Sequence, residues 1–94
     1  MKYRVIIMPV AEEDLRGIPR NLADSILRKI DALKYGLPGS VKRLADLDYG
    51  YRLRLADYRI LFDLEGGQVT IRRVLHRRHA YASKKGEQKR KGQH

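Results

Sequence analysis

Gly66 and Gly67 separate two runs of alternating apolar and polar residues, and no other feature of the chain restricts its fold so tightly. A Gly-Gly pair supplies the positive φ angles of a two-residue hairpin turn, so the flanking runs are expected to fold back on each other. Counting outward sets Leu64 against Val69 and Phe62 against Ile71. Further upstream, Tyr51, Leu53 and Leu55 alternate with Arg52 and Arg54, the period of a strand with one buried face. Ala56-Asp57 is the natural turn after it, although Ala is a poor residue wherever φ must be positive. That turn places Leu55 opposite Tyr58, Arg54 opposite Arg59, Leu53 opposite Ile60, Arg52 opposite Leu61 and Tyr51 opposite Phe62. Opposed residues share a face. Tyr51, Leu53, Leu55, Tyr58, Ile60 and Phe62 therefore line a core, and Arg52, Arg54 and Arg59 gather on the other side. Strict alternation beyond Ile71 adds Arg72, Val74 and His76 to the arginine side. It leaves Arg73 among apolar residues, where only snorkelling at the sheet end would accommodate it.

The first half of the chain reads as cover for this meander. Lys2 to Met8 is rich in β-branched residues and predicts a strand with Tyr3, Val5 and Ile7 on one side. Pro9 suits the first position of a helix, and Glu12, Glu13 and Asp14 lie in its early turns, where the dipole favours negative charge. Gly17 ends that helix and Pro19 begins the next. From there to Tyr35, Leu22, Ala23, Ile26, Leu27, Ile30 and Leu33 form one apolar stripe, closed by Gly36, Pro38 and Gly39. Val41 to Asp46 is a weaker strand candidate. The expected class is α+β: an N-terminal strand, a two-helix hairpin, then an antiparallel meander of three to four strands packed on the helices.

At 94 residues the chain makes one domain with a small core, expected over residues 1–82. Ser83 to His94 contains no apolar residue, so burial cannot offset its ordering, and a disordered basic tail is expected there. With no cysteine, disulfides and thiolate metal sites are excluded, and the three His lack convincing metal-ligand spacing. No metal or other cofactor is expected. No signal-like segment or membrane span is present, so a cytoplasmic location is the default. The formal net charge of +10 draws polyanions, which makes nucleic acid or an acidic protein the leading partner.

Two arginines opposed across a ladder repel, so the Arg54–Arg59 pair needs carboxylates or a bound anion to offset the cost. A guanidinium keeps its charge and offers a planar fork of donors, which fits a phosphate whose charge grows toward a transition state. The plain alternative is a solvated face neutralised by Asp46, Asp48, Asp57 or Asp63. Arginines stabilise charge and cannot accept a proton. A general acid or base would have to be His76, His79, Tyr81 or a carboxylate nearby. Gly66-Gly67 lacks the following helix and Lys of a phosphate-binding loop, and Ser83 has no triad around it.

Taken together, KRL, YGYRLRLADYRILFDLE and VLHRRHAY, following a strand and a helical hairpin, resemble the RelE/ParE superfamily of toxin-antitoxin toxins, with the RelE branch the better match. The resemblance covers about residues 2 to 81. It implies a toxin that enters the ribosomal A site and cleaves mRNA without metal, the ribose 2′-OH attacking its own phosphate to leave a 2′,3′-cyclic phosphate. In that family Arg52 and Arg54 match a basic pair on the central strand, and Arg59 matches the arginine on the scissile phosphate. Arg77, or Arg78 if the turn is displaced, matches the arginine near the leaving group, and Tyr81 matches a late tyrosine that orients or stacks on the nucleotide. Arg72 and Arg78 are further candidates for RNA contact. Well-known members carry lysines where this chain has Arg52 and Arg54, so the proton acceptor stays open among His76, His79 and Tyr81. The family also implies a cognate antitoxin, and contact with operator DNA only as a toxin–antitoxin complex. The competing expectations are a ParE-like inhibitor of DNA gyrase and a basic RNA-binding module without activity.

Overall fold

A computed structural model of the chain describes residues 2–44 and 49–78. The element order is β1 (Arg4–Ile7), α1 (Pro9–Arg16), α2 (Arg20–Ala32), a 3₁₀ turn (Leu33–Tyr35), β2 (Val41–Arg43), β3 (Tyr51–Leu55), β4 (Tyr58–Glu65) and β5 (Gln68–His76). The α+β reading holds, with β2 to β5 forming a four-stranded antiparallel meander. The sheet has one more strand than the meander: β1 joins it parallel to β5, giving the order β1-β5-β4-β3-β2. Alternation in β1 showed which side is buried and carried no information on its neighbour.

Both hairpins form in the expected register. In β3–β4 the pairs run from Leu55 with Tyr58 to Tyr51 with Phe62, with Arg54 opposite Arg59. Ala56 takes φ 53°, so the turn holds an L-residue in the left-handed region. In β4–β5, Leu64 faces Val69 and Phe62 faces Ile71 around Gly66 and Gly67, both at positive φ.

Beyond Ile71 the expected register fails. Leu61 pairs with Arg73 while Phe62 pairs with Ile71, so Arg72 is an extra residue, a β-bulge. The bulge reverses the parity of the rest of β5. Val74 opposes Ile60 and is buried in the core, and His76 opposes Tyr58 on the same side. Neither belongs to the arginine face, where strict alternation had put them. Arg73 shares the side of Leu61 and leaves the apolar set.

Both helices cover the other face. Ala11 and Leu15 of α1 and Ile26 and Ile30 of α2 pack with Leu53, Ile60, Phe62, Val69, Ile71 and Val74 into one cluster, and Leu33 completes it from the 3₁₀ turn. Tyr51 stacks on Phe62 within it, the ring centroids 5.4 Å apart. Leu27, expected in the stripe, is 40% exposed, because the apolar arc of α2 is narrower than its sequence spacing suggests. The backbone N–H groups of Lys2 and Tyr3 donate to the Lys34 carbonyl and tie the start of the chain to the end of the helical hairpin. Among the described residues no helix is long and apolar enough to cross a membrane.

Candidate functional site

With the helices on one face, the opposite face of the sheet is free to carry charge. Cross-strand pairing arranges its side chains in rows. One row runs Lys42, Arg52, Leu61, Arg73, and the next Arg54, Arg59, Leu75. Arg52, Arg54 and Arg59 thus come together as their alternation predicts. Lys42 joins them, a residue that sequence reasoning missed because β2 is too short for its alternation to be read.

Their environments differ. Arg54 is exposed, whereas Arg59 is only 4% exposed and sits beside Leu61, which is equally buried. A guanidinium so enclosed would ordinarily be paired. Arg59 Nη1 donates one long bond, 3.4 Å, to the Tyr58 carbonyl, and its Nε is buried without a partner among the described residues. Arg52 Nε is in the same condition. Among the described residues no ion pair reaches Arg52, Arg54 or Arg59. Of the carboxylates expected to neutralise this face, Asp63 is taken up at one end of it, accepting from Arg72 at 2.7 Å and from the Gly50 backbone N–H at 2.8 Å. Asp46 and Asp48 lie outside the described residues. The face therefore presents fixed positive charge with open donors, an arrangement that accommodates an anion.

Arg72 lies at one end of the face, its guanidinium over the Tyr49 ring at 5.7 Å as well as on Asp63. At the other end the Arg77 backbone N–H donates to the Asp57 carbonyl at 2.6 Å, which anchors the chain after β5 to the β3–β4 turn, beside Arg54 and Arg59. Residues 77 and 78 are helical and exposed. His76 caps that turn, its Nδ1 accepting from the Arg78 backbone N–H at 3.3 Å, and its ring meets Tyr58 edge-on at 5.4 Å. That position is on the helix side, separated from the arginines by the sheet. It also borders a cleft of about 310 Å³ with Asp14, Gly17, Ile18 and Tyr58. His79 and Tyr81 lie outside the described residues, as does the tail from Ser83.

Arg73 proves to be structural. Its guanidinium holds Asp14 of α1 through two bonds, and this contact raises its pKa against an opposing effect of burial. Neither partner was legible, since the contact bridges two elements that no local pattern connects.

The family model described as the ParE toxin of the type II toxin-antitoxin system parDE matches residues 5–81. No curated protein matches the sequence. Among solved structures, the chain is 27% identical to one from the archaeal RelE–RelB complex of Pyrococcus horikoshii, covering 82% of this chain and 97% of that one with a TM-score of 0.71. A chain of the Methanococcus jannaschii RelB–RelE antitoxin–toxin complex is 25% identical, over 81% and 94%, at 0.71. A chain of the Mycobacterium tuberculosis RelBE2 toxin–antitoxin complex is also 25% identical, over 81% and 99%, at 0.70.

Proposed function

We propose that this chain, which belongs to the RelE/ParE superfamily of type II toxin-antitoxin toxins, is an endoribonuclease that cleaves mRNA in the ribosomal A site. One observation carries the reading: buried guanidinium donors of Arg52 and Arg59 face an anion-sized need with no carboxylate among the described residues to meet it. In the proposed reaction the 2′ oxygen of a ribose bonds to the adjacent phosphorus while the bond to the 5′ oxygen breaks. The products are a 2′,3′-cyclic phosphate and a 5′-OH. Arg59 and Arg54 hold the phosphate and stabilise the charge that grows on its oxygens. Arg77 is assigned to the departing oxygen and Tyr81 to orienting the nucleotide. The proton of the 2′-OH goes to His79 or Tyr81, and the departing 5′ oxygen takes up a proton from the other of the two or from water to become the 5′-OH. His76 is set aside because the bulge turns it to the opposite face. A cognate antitoxin is the expected partner, since the three structural relatives above were solved as toxin–antitoxin complexes.

Primer extension on translating ribosomes tests this. Cleavage within the A-site codon, lost in Arg59→Ala and in Tyr81→Ala, is expected, and intact message at saturating protein would overturn it. A second reading, inhibition of DNA gyrase, is favoured by the family model being that of the ParE toxin. It predicts loss of supercoiling with mRNA untouched. Salt-sensitive RNA binding without a cyclic-phosphate product would indicate a binding module alone.

A further inference from the structure

Lys42 and Tyr49 border the arginine face on the side away from Arg77. Lys42 opposes Arg52, so its amine leaves the sheet on the arginine side, and among the described residues no carboxylate pairs with it. The row that holds Lys42 and Arg52 lies two residues along β3 from Arg54. Two residues of strand rise about 7 Å, close to the step between successive phosphates of an extended single strand. Beyond that row the Tyr49 ring lies against Arg72, which Asp63 fixes at 2.7 Å, while Asp63 also takes the Gly50 N–H next to Tyr49. The aromatic ring is thus held in place by its neighbours instead of by its own loop alone. A cation row followed by a braced aromatic ring is the combination that binds single strands: charge for the phosphate, a π-face for the base.

We propose that Lys42, Arg52 and Tyr49 form a second nucleotide subsite, in which Lys42 and Arg52 hold the phosphate next to the one at Arg54 and Arg59 and Tyr49 stacks on its base. This rests on the reading of the face as an RNA site. The buried, unpartnered Arg52 Nε, in the row that also holds Lys42, marks where that anion would sit. The subsite would set the register of the message by gripping a nucleotide that is not cut.

The test is binding, kept apart from cleavage. A short fluorescent RNA with 2′-O-methyl riboses lacks the attacking hydroxyl, so its anisotropy with the full chain reads affinity alone across a salt series. Lys42→Gln should weaken binding about fivefold and lower the slope of log K against log salt by about 0.7, the share of one phosphate contact on a single strand. Lys42→Arg should restore both. Tyr49→Ala should cost at least about fivefold, as loss of one stacked base does, and Tyr49→Phe should bind as the parent does. Melting temperatures unchanged by these substitutions would separate contact from folding. Wild-type affinity in Lys42→Gln and Tyr49→Ala, with binding weakened in Arg59→Ala, would overturn the subsite and leave the main anion site standing. No salt-sensitive binding by the parent chain would overturn both.

Discussion

Asp14 and Arg73, 59 residues apart, are joined by two hydrogen bonds of 2.8 and 3.0 Å, and the same carboxylate accepts the Val74 backbone N–H at 2.9 Å. β1 pairs with β5 only as far as Ile71. Past that point α1 takes over the strand edge, and Asp14 satisfies an N–H that would otherwise face outward.

Asp14→Ala should therefore destabilise the fold by about 2–4 kcal/mol, since it strands both a backbone donor and a half-buried guanidinium. Arg73→Met should cost less, and the double variant less than the sum, as urea denaturation will show. The bond to Asp14 raises the Arg73 pKa above its unfolded value. A raised value means the stabilisation is complete below the unfolded pKa and is lost only as pH rises through the folded one. Both lie far into alkali, so the difference in melting temperature between wild type and Arg73→Met should not change from pH 7 to pH 10.

Ala56 at φ 53° holds a conformation that glycine adopts without steric cost. Ala56→Gly should stabilise the hairpin by about 0.5–1 kcal/mol after the added freedom of the unfolded chain is subtracted. Thermal denaturation is the measurement, and a loss of stability would show that the turn relaxes differently.

Arg59 opposes stability and function most directly. Replacing a buried, poorly paired ion by an apolar side chain of similar size is commonly neutral or stabilising by about 1–4 kcal/mol. Arg59→Met should accordingly melt no lower than wild type, while the proposed RNA cleavage should fall by about 100-fold or more. A variant that loses activity because it unfolds would contradict this account of the site.

His76→Asn keeps an acceptor suited to capping residues 77–78 and removes any imidazole proton transfer. The pH–rate profile of the proposed RNA cleavage should then match the wild type, whereas a lost limb would return His76 to the chemistry despite its place on the helix side.

The hairpins and the Arg52, Arg54, Arg59 cluster were readable because turn residues at Ala56-Asp57 and Gly66-Gly67 fix register and register fixes faces. The second half of β5 was not. A bulge is set by how the strand must twist against its neighbours, and Arg72-Arg73 carry no glycine or proline to announce it. Lys42 stayed hidden because three residues of strand give no period. The Asp14 contact depends on where β1 stops, which only the assembled sheet determines.

The bulge also has a genetic consequence. Because Arg72 is the one residue of β5 without a cross-strand partner between Ile71 and Arg73, excising its codon would leave every pair from Gln68 to His76 in register and every core residue facing inward. Removing a codon from β4 instead would slide the ladder and turn buried side chains to solvent. The strand thus holds one position at which its length is negotiable, and that position also carries the arginine that braces Tyr49.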